Sequence, residues 1–256
     1  MHNLLTNSQV VSKALCISND KEIDVVTDNI ERILGMHWKS HSDLFVFVLK
    51  FHKVPKDILD LKAVPTKRQL LSVAMSIFDT FGFVADFMIV IKILMQEIWK
   101  SGIGWESNLL EEIYKKFKLW LNELHKITQF QIPRFYFAEC NIKKIELHMF
   151  CDASEEATAA VGYWRIENTS TSKVVFVTGK TACAPMRFHS IPKLELQAAL
   201  MAARLKDKIL KCHDRIQVNR VVFWCDSYTV IRWIRSDHRK YKQYVANRVA
   251  EILENA

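Results

Sequence analysis

Residues 145–154, with the sequence IELHMFCDAS, constrain the fold of this chain more than any other segment. Apolar side chains alternate with other side chains, which is the period-two pattern of a β-strand with one buried face. Asp152 follows at the position where this strand is expected to end. A carboxylate at the end of a buried strand is unusual unless a positive group lies beside it. The segment therefore predicts a strand that carries an acid to a functional site.

Two later acids extend this pattern. Glu195 lies in SIPKLELQAALMAARL, where Ser190 is expected to cap a helix and Pro192 is tolerated in its first turn. Glu195 would then lie one turn into the helix, beside its apolar face. Asp226 closes NRVVFWCDS, an apolar run typical of a central strand covered on both faces. Ser227 is expected to begin the next helix.

The order of elements in this half of the chain predicts an α/β fold. We expect strands at 145–151, 159–166, 174–180 and 220–225, and helices at 191–210 and 227–235. Three strands followed by an alternation of helix and strand place the fourth strand parallel to the first. Parallel neighbours end at the same edge of a sheet, so Asp152 and Asp226 are expected to meet there.

This order of acids resembles that of the ribonuclease H family. The segments FCDAS, SIPKLELQAAL, FWCDSYTVIRWI and YVANRVAEI look specifically like the ribonuclease H region of BEL/Pao retrotransposon Pol polyproteins. The resemblance implies that Asp152, Glu195 and Asp226 are catalytic and hold two Mg²⁺ ions, with Mn²⁺ as an alternative. It also implies cleavage of the RNA strand of an RNA/DNA hybrid. The implied partners are this hybrid and the rest of the Pol polyprotein, namely the palm and the integrase.

Elementary electrostatics agrees with a metal at such a site. Three carboxylates in one place repel one another unless divalent cations compensate their charge. Hard oxygen ligands suit Mg²⁺. In the related elements a fourth acid belongs to an Asn-Pro-Ala-Asp type of motif after a further strand, and this chain ends at Ala256 without such a motif. We therefore expect a sheet that is incomplete at its C-terminal end, and weak or absent activity.

The first half of the chain predicts a mostly helical unit. Helices are expected at 66–82, where Thr66 would be the cap and Gly82 the stop, and at 86–99 and 109–124. Before them, residues 27–36 are expected to form a short helix or strand, and residues 44–51 a strand. The passage HWKSHSDLFVFVLKF resembles the segment that follows the polymerase palm in BEL/Pao elements. The chain has no aromatic-x-Asp-Asp pair, so polymerase activity is not expected.

These expectations combine into two domains. Residues 1–140 would form a thumb/connection-like region, and residues 141–256 a ribonuclease H-like domain. The fold class is thus α/β, a ribonuclease H-like mixed sheet with flanking helices, preceded by a mostly helical thumb/connection domain.

A formal charge of +8 favours a polyanionic partner. The polar and basic residues after Asp226 are the candidate contacts with nucleic acid: Ser227, Arg232, Arg235, His238, Arg239 and Lys240. The alternative for these side chains is an ordinary solvated surface. Trp233, at helical spacing from Val230, is expected to belong to the core.

Cysteine usage and hydropathy bear on location. None of the six cysteines forms a CxxC pair, which is typical of reduced intracellular thiols. No signal peptide is apparent, and the apolar run FGFVADFMIVIKILM is interrupted by Asp86 and Lys92. We expect an intracellular, cytoplasmic protein, present in virus-like particles or outside them, that is not secreted and has no membrane partner.

Two other functions stay open. Related regions also carry the label Pao retrotransposon peptidase, and Asp152, Ala153 and Ser154 resemble the Asp-Thr/Ser-Gly loop of aspartic peptidases. The glycine that this loop needs for its tight turn is absent, however. The second alternative is a catalytically dead relic that binds nucleic acid.

Overall fold

The computed structural model describes residues 5–6, 24–25, 30–33, 35–137 and 142–255. The strands are β1 (Leu5–Thr6), β2 (Asp24–Val25), β3 (Ile30–Ile33), β4 (Met36–Lys39), β5 (Leu44–Val46), β6 (Gln131–Pro133), β7 (Lys144–Ala153), β8 (Ala157–Glu167), β9 (Ser172–Cys183) and β10 (Arg220–Trp224). The helices are α1 (Lys56–Leu59), α2 (Lys67–Met75), α3 (Ala85–Lys100), α4 (Glu111–Glu123), α5 (Ile191–Cys212), α6 (Tyr228–Arg235) and α7 (Gln243–Glu254). Two 3₁₀ helices span Leu124–Gln129 and His238–Lys240. Within the described residues, no helix has both the length and the apolar character needed to cross a membrane.

The helical half is built around helices α2, α3 and α4. Their apolar faces meet in one core, in which Leu70, Ile91 and Phe117 are fully buried. The start of α2 follows the predicted capping chemistry, because the Thr66 hydroxyl accepts a hydrogen bond from the Gln69 backbone and the Gln69 side chain accepts one from Thr66. Helices α3 and α4 confirm the helices predicted at 86–99 and 109–124.

The predicted end of α2 was wrong. The helix stops at Met75, well before Gly82. The Asp79 carboxylate instead accepts hydrogen bonds from the backbone N–H groups of Phe83 and Val84, at 2.8 and 2.9 Å. These groups lie at the start of α3, so the segment after α2 serves to begin the next helix.

A small antiparallel sheet with the order β3-β4-β5-β6 flanks this helical core. Met36, Trp38 and Phe45 form a separate buried cluster within it. The region predicted as a helix or a strand at 27–36 contributes β3, with residues 27–29 and 34 outside the described residues. The strand predicted at 44–51 is shorter and ends at Val46.

The second sheet has the order β10-β7-β8-β9. Strands β7, β8 and β9 are antiparallel neighbours, and β10 pairs with β7 in parallel, as the sequence predicted. Helix α5 packs against one face of this sheet, where Leu147 and Met149 are fully buried. The predicted α/β fold with a mixed sheet and flanking helices is therefore confirmed.

The prediction that β10 is a central strand was wrong. In the part of the chain that the structure describes, β10 lies at the edge of its sheet, with β7 as its neighbour. Phe223 and Trp224 are 38% and 49% exposed. An apolar run shows that side chains favour burial, but it does not show whether a second strand pairs with β10 or whether other elements cover both faces of the sheet.

The helical half contacts the second sheet through β9. The Phe81 carbonyl oxygen accepts hydrogen bonds from the Gly179 N–H and the Thr178 hydroxyl, both at 2.8 Å. The approach is close, because a Cβ atom on Gly82 would lie 2.0 Å from the Gly179 carbonyl oxygen. The domain boundary predicted between residues 140 and 141 lies outside the described residues and stays a prediction.

Candidate active site

Asp152 and Asp226 lie at the carboxyl ends of two adjacent parallel strands. Phe150 of β7 is paired with Trp224 of β10. Asp152 lies two residues after Phe150, and Asp226 lies two residues after Trp224. Both carboxylates are exposed, and both line a cavity of about 940 Å³. The parallel pairing thus brings the two acids to one edge of the sheet, as expected from the sequence.

Glu195 reaches the same region from the first turns of α5, where it is half-buried. Its Oε2 accepts a hydrogen bond of 2.6 Å from the hydroxyl of Ser227, the residue next to Asp226. Ser190 occupies the N-cap position of α5, but its side chain makes no capping hydrogen bond, in contrast to the prediction. The hydrogen bond between Glu195 and Ser227 thus connects α5 to the end of β10.

Ser227 is buried, with 7% of its surface exposed. Its hydroxyl oxygen accepts a hydrogen bond from the Val230 N–H and so caps α6, as predicted for the residue that begins this helix. The predicted contact of Ser227 with nucleic acid stays a prediction.

Two thiols lie beside the acids. Cys151 Sγ is 3.6 Å from the Trp224 carbonyl oxygen and contacts the thiol of Cys225. The hydrogen bond with Cys225, burial and the charges of Asp152 and Asp226 raise the pKa of Cys151. The same hydrogen bond lowers the pKa of Cys225 to about 7, against the opposing effects of burial and of the charges of Asp226 and Glu195. The charge of Asp226 therefore acts on both thiols, that of Asp152 on Cys151 and that of Glu195 on Cys225.

The donor chemistry of the three acids suits a hard divalent cation. None of Asp152, Glu195 and Asp226 forms an ion pair with another described residue. Mg²⁺ is commonly held by one or two carboxylates, with water and substrate phosphates as its remaining ligands. Across the described residues, no three His, Cys, Asp or Glu side chains form a ready-made metal-binding group. The suitability of the site for Mg²⁺ therefore rests on Asp152 and Asp226, which line one cavity, and on the hydrogen bond that connects Glu195 to Ser227 beside Asp226.

Part of the wall of this cavity comes from the helical half of the chain. Phe83, Asp86 and Ile89, at the start of α3, line it together with Lys180 of β9. Sequence reasoning missed these four residues. The contribution of Phe83, Asp86 and Ile89 depends on how the helical half docks onto the sheet, and no local pattern at these positions indicates it.

The predicted basic contacts lie after the strand that carries Asp226. Arg232, Arg235, Arg239 and Lys240 are exposed, and the Arg232 guanidinium lies 4.9 Å from the centre of the Tyr228 ring. The side chain of His238 lies outside the described residues. Trp233 packs against the core of the second sheet, as the sequence predicted. The exposed charges are available to a nucleic-acid backbone, and their role stays a prediction.

Comparisons with known proteins identify a matching family and similar solved structures. A family model described as Pao retrotransposon-like RNaseH-like domain matches residues 66–227, which include Asp152, Glu195 and Asp226. No curated protein matches the chain. Among solved structures, the chain is similar to the foamy viral protease-reverse transcriptase dRH in complex with double-stranded DNA, with 14% identity and a TM-score of 0.48 over 88% of this chain and 36% of that one. It is also similar to the foamy viral protease-reverse transcriptase in complex with double-stranded DNA, with 13% identity and a TM-score of 0.48 over 88% of this chain and 42% of that one. The chain thus spans less than half the length of either protein.

Proposed function

The chain belongs to the Pao retrotransposon-like RNaseH-like domain family, and on this basis we propose that it hydrolyses the RNA strand of RNA/DNA hybrids with divalent metal ions held by Asp152, Glu195 and Asp226. The observation that carries the proposal is the meeting of Asp152 and Asp226 at one cavity, at the ends of two parallel strands. Glu195 joins them through its hydrogen bond with Ser227. None of the three acids has an ion-pair partner among the described residues, which leaves their oxygen atoms available to a cation.

The acids would serve as ligands and not as proton donors. The exposed carboxylates of Asp152 and Asp226 at the ends of their strands offer oxygen atoms to a hard cation. Magnesium, when bound, would supply an activated water and stabilise the leaving oxygen of a phosphodiester. A Glu195 carboxylate held by Ser227 would keep its place as the substrate enters.

The substrate backbone would be bound by the exposed cations after β10. Arg232 and Arg235 lie on α6, directly after Asp226 and Ser227, and Arg239 and Lys240 follow in the 3₁₀ helix. Cations placed in this way neutralise phosphates and position a nucleic acid without reading its sequence. Selection of a hybrid would come from contacts to the 2′-hydroxyl groups of one strand.

We further propose that the chain acts as a segment of a retroelement Pol polyprotein in the cytoplasm, with the palm and the integrase as its partners. The family match supports this context, since the family is named for a retrotransposon. Its description names an RNaseH-like domain, and this supports hydrolysis of nucleic acid as the first proposal, ahead of the proteolysis that the sequence left open.

The direct test is cleavage of a hybrid under single-turnover conditions, with the protein in excess because we expect slow turnover. Parallel reactions carry the label on the RNA strand or on the DNA strand, with Mg²⁺, with Mn²⁺ or with a chelator. Asp226→Asn removes one proposed ligand. Asp214→Asn is the matched control, because Asp214 is exposed in the connection before β10, away from the strand end.

We expect metal-dependent cuts in the RNA strand only, lost in Asp226→Asn and kept in Asp214→Asn. If the wild-type chain binds the hybrid but cuts neither strand above the Asp226→Asn background, hydrolysis is excluded and a nucleic-acid-binding relic is the better description. If cleavage survives in Asp226→Asn, the site is assigned wrongly.

A further inference from the structure

Ser227 makes two hydrogen bonds whose directions can be assigned. A backbone N–H is always a donor, so the hydroxyl oxygen must accept from Val230. A hydroxyl has a single proton, and an ionised carboxylate only accepts, so this proton is donated to Glu195 Oε2 at 2.6 Å. The hydroxyl is thus held from one side by the backbone of α6 and holds the carboxylate on the other.

This arrangement joins two elements that carry proposed metal ligands. Glu195 projects from the first turns of α5, and Ser227 follows Asp226 where β10 gives way to α6. A glutamate side chain has several rotatable bonds, and confining it to one orientation costs conformational entropy. The buried hydroxyl provides this confinement before any cation arrives, because its own position is fixed by capping α6.

Resting on the proposed function, we propose that Ser227 is a positioning residue that holds the Glu195 carboxylate in one orientation beside Asp226 and thereby strengthens the binding of a divalent cation by the acidic site. Hydrogen-bond partners that orient metal ligands typically change metal affinity about 10- to 100-fold. This role differs from the nucleic-acid contact predicted from the sequence. The donor proton is already engaged by Glu195, and the side chain is buried.

Three variants separate positioning from general stability. Ser227→Ala removes both hydrogen bonds. Ser227→Thr keeps a hydroxyl that can cap α6 and donate to Glu195. Thr66→Ala is the matched control. It removes the N-cap hydrogen bond of α2 in the helical half, and so lowers stability in a comparable way while leaving the three acids unchanged.

The measurement is the affinity of each full-length variant for Mn²⁺, read from the electron paramagnetic resonance signal of the free ion and made well below the melting temperature. We expect Ser227→Ala to weaken binding about 10- to 100-fold, and Ser227→Thr and Thr66→Ala to bind like the wild type. Affinity of the metal-free protein for the hybrid should not change in Ser227→Ala.

The proposal is overturned if Ser227→Ala binds Mn²⁺ like the wild type, or if Thr66→Ala or Ser227→Thr loses as much affinity as Ser227→Ala. Loss of hybrid binding by metal-free Ser227→Ala would also overturn it, in favour of a direct contact with nucleic acid. Failure of the proposed function looks different, because in that case the wild-type chain would show no Mn²⁺ binding that Asp226→Asn abolishes.

Discussion

Glu146, near the start of β7, is predicted to make the stability of the protein depend on acidity. Its carboxylate is 6% exposed and forms ion pairs with Lys144 and Arg165, both at 2.9 Å. The hydrogen bond from Lys144, followed by those from Arg165 and His148, lowers the pKa of Glu146 from 4.5 to about 2, although burial opposes the change. The folded protein therefore holds this carboxylate ionised in acid that would protonate it in the unfolded chain.

The sign and size of the effect follow from linkage. Because the pKa is lower in the folded state, the stabilisation is fully present above about pH 4.5 and is lost as the pH falls towards about 2. The full difference between the two pKa values corresponds to roughly 3 kcal/mol. Lys144 and Arg165 are 43% and 35% exposed, so solvent screening reduces the expected contribution to about 1–2 kcal/mol.

The assay is urea-induced unfolding of the wild type and Glu146→Gln at pH 7, 4.5 and 3. We expect Glu146→Gln to be less stable by about 1–2 kcal/mol at pH 7, with a difference that shrinks as the pH falls. Glu167→Gln is the matched control, because Glu167 pairs with the same Arg165 but is 42% exposed, and its effect should be small at every pH. A Glu146→Gln deficit of the same size at pH 7 and pH 3 would refute the reasoning.

Two further predictions concern the contact between the halves and the basic surface. Gly82→Ala would place a Cβ 2.0 Å from the Gly179 carbonyl oxygen at a backbone φ of +75°. It should therefore lower the melting temperature more than Gly102→Ala, since Gly102 has a similar φ of +72° but open space around it, and its substitution carries only the backbone cost of about 1–2 kcal/mol. Equal shifts in melting temperature would contradict the close contact. Reversing the charges of Arg239 and Lys240 to Glu should reduce the slope of log affinity for a hybrid against log salt by about 2. The same reversal at the exposed Lys53 and Lys56 of the helical half should leave the slope unchanged, and an unaltered slope in the first variant would exclude phosphate contacts there.

The sequence predicted those parts of the fold that depend on local patterns. Burial alternates along β7 from Leu147 to Asp152, and the cap at Thr66 combines two side chains three residues apart, so both could be predicted from short segments. The parallel pairing of β10 with β7 followed from the order of the elements, and it placed Asp152 and Asp226 at one edge.

The remaining features depend on contacts between distant segments. The exposed edge position of β10 is not visible in an apolar run, and the early end of α2 reflects the use of Asp79 to begin α3. Asp86 enters the cavity wall only because the helical half docks onto β9. The bond from Ser227 to Glu195 likewise joins residues on different elements, and neither neighbourhood alone predicts it.

The central claim is that Asp152, Glu195 and Asp226 together hold a divalent metal ion. The most direct measurement is the anomalous scattering of Mn²⁺ soaked into crystals of the protein. We expect an anomalous peak about 2.1 Å from carboxylate oxygens of these acids, absent from crystals of Asp226→Asn. A Mn²⁺ peak at other residues, or no peak at a Mn²⁺ concentration that supports cleavage of the hybrid, would contradict metal binding by these three acids.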